Sequence, residues 1–140
     1  MPDPLFAPFS RAVLAGCSLF LMCGGALAGP YQFLAAPGID VNLLYRLDQL
    51  TGEVTVCQYG GAGADAAKTP YGVTFCHAAG AGATKQEPGR YELLTSRHEK
   101  EAGVFRVELL TGNVSNCFLH IAKDGEKIVE DFVVCTPQAK

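Results

Sequence analysis

Apolar and polar side chains alternate with a period of two in two stretches of the chain, residues 43–48 (LLYRLD) and residues 104–108 (VFRVE). Successive side chains of a β-strand point to opposite faces, so this alternation predicts two strands that are each buried on one face. Each stretch is followed by a Thr-Gly pair, whose glycine tolerates the positive φ of a turn, and then by further β-branched residues. Both stretches therefore begin a predicted hairpin. The side chains expected to face the core are Leu43, Tyr45, Leu47, Phe105 and Val107, and those expected to face outward are Leu44, Arg46, Asp48, Arg106 and Glu108.

The two hairpins belong to a tandem duplication, in which a shift of 60 residues superimposes one copy on the other. The stretch LLYRLDQLTGEVTVC at residues 43–57 falls on GVFRVELLTGNVSNC at residues 103–117. Tyr31 falls on Tyr91 in the same register, and the later cysteines match with a slip of one residue. Because a repeated unit of this size cannot bury its apolar face alone, we expect the two copies to pack together.

Each copy is predicted to hold four antiparallel strands, because a further strand precedes and follows each hairpin. These outer strands fall at YQFLAA and RYELLTS before the hairpins, and at YGVTFC and DFVVC after them. The expected fold is all-β, with two four-stranded repeats packed as a sandwich or a flattened barrel and stabilised by disulfides. The simplest arrangement presses the equivalent apolar faces together about a pseudo-twofold axis.

The connections differ between the copies. Residues 60–69 (GGAGADAAKT) have the composition of a flexible loop, whereas the second copy predicts a hairpin around Asp124-Gly125, with a short helix from Glu126 to Glu130 as the alternative. The Gly/Ala-rich segment between the copies is typical of a linker. The predicted boundaries are residues 31–76 for the first repeat, 77–89 for the linker and 90–136 for the second repeat.

The first 28 residues have the pattern of a secretory signal peptide, with one positive charge at Arg11, an apolar run and a small-residue cleavage site ending at Ala28. Its apolar run is shorter than the roughly 20 residues that span a bilayer, so we expect no transmembrane segment after cleavage. The predicted location is periplasmic or secreted. The alternative is a lipid anchor on Cys17, which follows Leu-Ala-Gly.

Four cysteines remain after the signal peptide, and an even number in an exported chain predicts two disulfides. The duplication favours two pairings: Cys57 with Cys76 and Cys117 with Cys135 within the copies, or equivalent cysteines between them. Within-copy loops of about 20 residues would each stabilise the fold by roughly 3 kcal/mol. However, a tight turn at Asp124-Gly125 would place Cys117 opposite Phe132, so within-copy pairing requires a bulge or a longer turn.

The chain has a formal net charge of −3, and the predicted signal peptide contributes one charge of each sign. Basic residues do not cluster anywhere in the sequence. Nucleic acids and anionic lipid surfaces both attract a basic footprint, so neither is expected as the main partner.

The two hairpins resemble the LDxxTGxV hairpins in propeller blades of the pyrroloquinoline-quinone type. The chain is also similar to short exported bacterial domains that read roughly VYRLDxxTGxVxxC, and residues 89–94 (GRYELL) extend the second match. The resemblance implies β architecture and no particular activity, since two blades are fewer than the roughly four that a propeller needs. In such hairpins the acid before the turn caps backbone amides. The residues given turn or structural roles are Asp48, Thr51, Gly52, Glu108, Thr111 and Gly112.

The histidines and carboxylates form no recognisable catalytic or metal site. His77, His98 and His120 are not spaced as paired ligands, so we expect ordinary surface or turn histidines, no metal and no cofactor. The carboxylate pairs Asp48 with Glu108, and Glu130 with Asp131, are candidates for acid/base chemistry on a sugar, which needs a separation of about 5 to 10 Å. Nothing in the sequence fixes that separation, and outward carboxylates are typically turn caps or solvated. We therefore predict that the protein is not an enzyme.

The arginines are the most informative polar residues, because Arg46 and Arg106 each lie two positions before an acid on the same strand face. The simpler prediction is a cross-strand ion pair, which contributes a few tenths of a kcal/mol. The alternative is that the duplication brings both pairs onto one docking surface, with Tyr45 and Phe105 as neighbouring candidate contacts, because arginine and aromatic residues often anchor interfaces.

These patterns predict an exported, non-catalytic binding or structural module that contacts an unidentified protein or envelope component, as a monomer or a small homo-oligomer. One alternative is a secreted hydrolase inhibitor. Another is a small carbohydrate-active enzyme with paired carboxylates.

Overall fold

The computed structural model describes residues 29–60 and 72–139, and these residues form eight β-strands and no helix. Two predicted segments lie outside the described residues: the signal peptide with Cys17, and residues 61–71, which include most of the Gly/Ala loop. The all-β prediction is confirmed. The strands are β1 (Tyr31–Ala35), β2 (Leu43–Asp48), β3 (Val54–Gly60), β4 (Val73–Ala79), β5 (Tyr91–Thr95), β6 (Val104–Glu108), β7 (Val114–Asp124) and β8 (Lys127–Cys135).

All eight strands form one sheet in the order β1-β2-β3-β4-β8-β7-β6-β5. Strands β1 to β4, called the first unit below, are antiparallel to one another, and so are strands β5 to β8, the second unit. The units join where β4 and β8 run parallel over two residue pairs, Ala78 with Phe132 and Ala79 with Val133.

The sheet curls until its two edge strands, β1 and β5, approach each other. The side chain of Gln32 bridges them as a backbone group would. Its Nε2 donates to the Leu93 carbonyl at 3.1 Å, and its Oε1 accepts from the Leu93 amide at 2.7 Å. The result is a nearly closed, barrel-like sheet, as expected for a flattened barrel.

The β7–β8 hairpin explains how the cysteines pair. Its turn lies one residue later than predicted, because Asp124 pairs with Lys127. A register shift between Ala122 and Lys123 then brings Cys117 opposite Cys135. Of the two predicted solutions, a bulge or a longer turn, the bulge is present. The alternative of a helix from Glu126 to Glu130 is wrong, because Glu126 lies in the turn and β8 begins at Lys127. The disulfides are Cys57–Cys76 and Cys117–Cys135, which is the within-copy pairing.

The two units turn opposite faces of their shared pattern toward the core. In β2, Leu47 is fully buried and Arg46 is exposed. In β6 the order is reversed, because Val107 is half-buried whereas Arg106 and Glu108 are only 6% and 7% exposed. The residues that form the hydrophobic core are Tyr45, Leu47, Val54, Val56, Ala83, Tyr91, Leu93, Val104, Cys117, Val133 and Cys135.

The prediction that Arg106 and Glu108 face outward, with Phe105 and Val107 in the core, is therefore wrong. The units also do not press equivalent faces together about a twofold axis. Period-two alternation shows that neighbouring side chains occupy different faces, but it does not identify the inner face when both carry apolar residues. In the second unit, Leu93 and Arg106 are paired on one face and are both buried.

Candidate binding surface

Each unit contains a Thr-Gly turn that is capped by the acid at the end of the preceding strand. In the first unit, Asp48 Oδ1 accepts hydrogen bonds from the amides of Leu50 at 2.9 Å and Thr51 at 3.0 Å. Gly52 has a φ of 68°, which allows the chain to turn back into β3. Hydrogen bonding, led by the Thr51 amide, holds the pKa of Asp48 below its ordinary value. The predicted capping role of Asp48 is confirmed.

The second turn has the same construction with a longer acid. Glu108 Oε2 accepts from the Thr111 amide at 2.6 Å, while Oε1 accepts from the amides of Leu110 at 3.1 Å and Arg90 at 3.2 Å. Gly112 has a φ of 75°. Hydrogen bonding, led by the Thr111 side chain, lowers the pKa of Glu108 to about 2. A carboxyl held ionised in this way is poorly suited to donate a proton at neutral pH, which argues against pairing it with Asp48 as an acid/base site.

In the first unit, Arg46 stands in β2 with its side chain on the outside of the sheet. Its guanidinium carbon lies 5.4 Å from the centre of the Tyr31 ring, and its Nε donates to Thr55 Oγ1 at 3.1 Å. Both partners come from strands that flank β2, and Arg46 itself is exposed. Its orientation is therefore fixed while its Nη atoms remain on the outer surface.

Arg106 makes the same two kinds of contact inside the molecule. Its guanidinium carbon lies 6.0 Å from the centre of the Tyr91 ring, and its Nη2 donates to Ser115 Oγ at 3.3 Å. A third contact is added, since Nη1 donates to the Gly52 carbonyl at 2.8 Å. Burial lowers the pKa of Arg106. The turn of the first unit thus supplies the acceptor that compensates for burying this arginine.

Within residues 29–60 and 72–139, the ion pairs all involve a histidine and neither Arg46 nor Arg106 takes part in one, so the predicted cross-strand ion pairs are wrong. Asp48 and Glu108 instead accept hydrogen bonds from the amides of their turns. The alternative of one common docking surface is also wrong, because Arg46 is exposed and Arg106 is buried.

The two aromatic candidate contacts, Tyr45 and Phe105, lie on different sides of the sheet. Tyr45 is fully buried, and its hydroxyl donates to the Ala102 carbonyl at 2.8 Å. Burial raises the pKa of Tyr45 to about 12, which marks it as a core residue and not a contact for a partner. Phe105 is half-buried on the outer side of the second unit.

The structure instead groups a different set of residues around Arg46. Tyr31, Phe33 and Leu44 are 48%, 57% and 45% exposed, and strand pairing places them on the same side of the sheet as Arg46. We call these four residues the outer face of the first unit. The sequence predicted that Leu44 faces outward, but it gave neither Leu44 nor Phe33 as a candidate contact, although the alternation in β1 and β2 places both in register with Arg46.

His77 differs from the surface or turn histidine that the sequence predicts. It lies in β4 and is 8% exposed, and its Nδ1 is 3.1 Å from Asp131 Oδ2 across the seam between β4 and β8. Its Nε2 has no hydrogen-bond partner among the described residues. The contact ties the two units together where they share only two backbone pairs.

A polar cleft of about 280 Å³ lies beside Arg106 and is lined in part by Tyr91, Glu108, Asn113, Ser115 and Gln138. Its charged groups already have partners, since Glu108 accepts from turn amides and Arg106 donates to Gly52 and Ser115. Across the described ranges, no group of three His, Cys, Asp or Glu side chains is placed to hold a metal ion.

Comparison of the chain with protein-family models, with curated proteins and with solved structures finds no significant match. None of the described residues belongs to a helix with the length and apolar character needed to cross a membrane.

Proposed function

We propose that the protein is an exported, non-catalytic binding module, and that it binds through the outer face of the first unit. The observation that carries this proposal is the exposure of two aromatic rings and a leucine around an oriented arginine. Aromatic residues and arginine supply much of the binding energy at protein interfaces, and an apolar patch that stays exposed often marks such an interface. A protein is therefore the class of partner that this face fits best.

The rest of the molecule supports a rigid scaffold for that face. Two disulfides cross-link adjacent strands in both units, and such bonds persist in oxidising compartments. The signal pattern in residues 1–28 points to the same location. Of the two carboxylate pairs that could serve a hydrolase, Asp48 and Glu108 cap the turns, and Asp131 of the other pair contacts His77.

A photo-crosslinking amino acid at position 33 tests this function in the exported protein. We expect a discrete crosslinked protein product from Phe33, because its side chain is 57% exposed on the proposed surface. The matched control is Ile128, which is 50% exposed on the β7–β8 hairpin and outside that face. Products that are absent at position 33, or identical at both positions, would contradict the proposal.

A further inference from the structure

The arginine-bearing face of the second unit, formed by Tyr91, Leu93, Val104 and Arg106, lies against the first unit. The ring of Tyr91 lies over the first turn so closely that a Cβ on Gly52 would come within 2.9 Å of it. Arg106 donates to the carbonyl of that same glycine, and Leu93 and Val104 are buried beside it. In the second unit this face is thus covered by the first unit.

The first unit presents the same groups to the outside. Tyr31 pairs with Asp48 as Tyr91 pairs with Glu108, and Phe33 pairs with Arg46 as Leu93 pairs with Arg106. The outer face of the first unit therefore has the residue types and register of the buried face, but no unit precedes it among the described residues to cover it.

A receiving surface is also present on the second unit. In the first unit, Tyr45, Leu47 and Val54 share the core cluster with Tyr91, Leu93 and Val104 of the second unit, and Leu34 packs against that cluster. The residues sixty positions later lie on the outer side of the second unit, where Leu94 is 50% exposed and Val114 is 37% exposed. The equivalent turn glycine, Gly112, has a φ of 75° and nothing within 4 Å of a Cβ built on it. The space beside Gly112 is therefore open, whereas the equivalent space beside Gly52 is filled by the Tyr91 ring.

We propose that the partner of the outer face is a second copy of this chain, an inference that rests on the proposed function. The first unit of one copy covers the outer side of the second unit of its neighbour. Tyr31 then packs on the neighbour's Gly112 turn, and Arg46 donates to the carbonyl there. The contact repeats the one within the chain, and it joins two different surfaces head to tail.

One substitution between the units weakens this contact relative to the internal one. Gln32 bridges the edge strands because an amide both donates and accepts, and it bonds both the carbonyl and the amide of Leu93. The residue sixty positions later is Glu92. A carboxylate group accepts hydrogen bonds and lacks the N–H donor of an amide, so Glu92 can bond the Phe33 amide of the next copy but not the Phe33 carbonyl. Glu92→Gln restores the missing donor and is expected to tighten association by about two- to tenfold.

Because the head-to-tail contact joins two different surfaces, variants that each block one surface distinguish it from a symmetric contact. Phe33→Lys blocks one of the two surfaces and Leu94→Lys blocks the other. Each variant alone is expected to be monomeric, while their mixture forms a dimer with one copy of each, because each retains the surface that the other lacks. Ile128→Lys is the matched control, since it changes an equally exposed apolar residue outside both surfaces and is expected to associate as the unchanged protein does.

The measurement is sedimentation velocity of the full chain, exported and oxidised, over a range of concentrations, with far-ultraviolet circular dichroism to establish that each variant is folded. A mixture that stays monomeric, or association that both lysine variants retain, would overturn the proposal, and so would a monomer at every concentration in both the unchanged protein and Glu92→Gln. If the protein and Glu92→Gln stay monomeric but position 33 crosslinks to another protein, the proposed binding function stands and the proposed self-association is wrong. If position 33 gives no crosslink, both proposals are wrong.

Discussion

At the scale of single residues, the acids before the turns have the clearest task. Glu108 accepts from the amides of Leu110 and Thr111 in its turn and from the Arg90 amide just before β5, backbone donors that would otherwise need other partners. Those donors favour the ionised carboxylate, which is why the pKa of Glu108 falls to about 2. The chemistry that fits Glu108 to the turn is therefore the same chemistry that makes it a poor proton donor.

This low pKa predicts how stability depends on pH. A carboxyl whose pKa is lower in the folded state stabilises the fold above its unfolded pKa, and that stabilisation is lost as pH falls through the folded pKa. For Glu108 the window runs from the ordinary value of 4.5 down to about 2. The melting temperature of Glu108→Gln should lie below that of the unchanged protein at neutral pH, and the gap should narrow in this window. Glu126→Gln, at the exposed β7–β8 turn, is the control, and a gap independent of pH would contradict the assignment.

At the scale of elements, the two turns are alike in backbone and different in surroundings. Gly52 and Gly112 have φ values of 68° and 75°. A Cβ on Gly52 meets the Tyr91 ring, whereas one on Gly112 meets nothing within 4 Å. The pair therefore separates the cost of backbone strain from the cost of contact between the units.

We expect Gly112→Ala to lower the free energy of unfolding by about 1 to 2 kcal/mol, the cost of a non-glycine residue in the left-handed region. Gly52→Ala carries the same strain and also displaces the Tyr91 ring, which adds about 1 to 3 kcal/mol. Denaturant unfolding of the dilute protein measures both. Equal losses would mean that Tyr91 moves aside freely and that the turn is not a tight contact.

The elements also show how far the sequence alone reaches. Both hairpins could be predicted from their alternation and their Thr-Gly turns. The four cysteines predicted two disulfides, but the sequence left open whether these join cysteines within or between the copies, and the structure shows the within-copy pairing. The burial of Arg106 could not, because its strand has apolar residues on both faces and only the packing of the first turn decides which face is inside. Gln32 carries no local signal either, since its role depends on an edge strand 61 residues away.

At the scale of the whole molecule, the two disulfides lie on opposite sides of the sheet and differ in exposure to solvent. Leu44 pairs with Cys57, and Cys57 pairs with Cys76, which places the first disulfide on the outer side of the first unit. There Cys57 is half-buried and Cys76 is exposed, whereas Cys117 and Cys135 are buried in the core. Access to a reducing agent should therefore differ between two bonds that join equivalent strands.

In dilute, folded protein we expect a small thiol to reduce Cys57–Cys76 well before Cys117–Cys135, as measured by alkylation and mass spectrometry at timed intervals. If a second copy covers the outer face, the reduction of Cys57–Cys76 should slow as protein concentration rises through the range in which sedimentation shows association. Phe33→Lys should abolish that slowing without changing the rate in dilute protein, because it blocks docking and leaves the disulfide in place. If the rate at which Cys57–Cys76 is reduced does not depend on protein concentration while the protein associates, the contact lies on another surface.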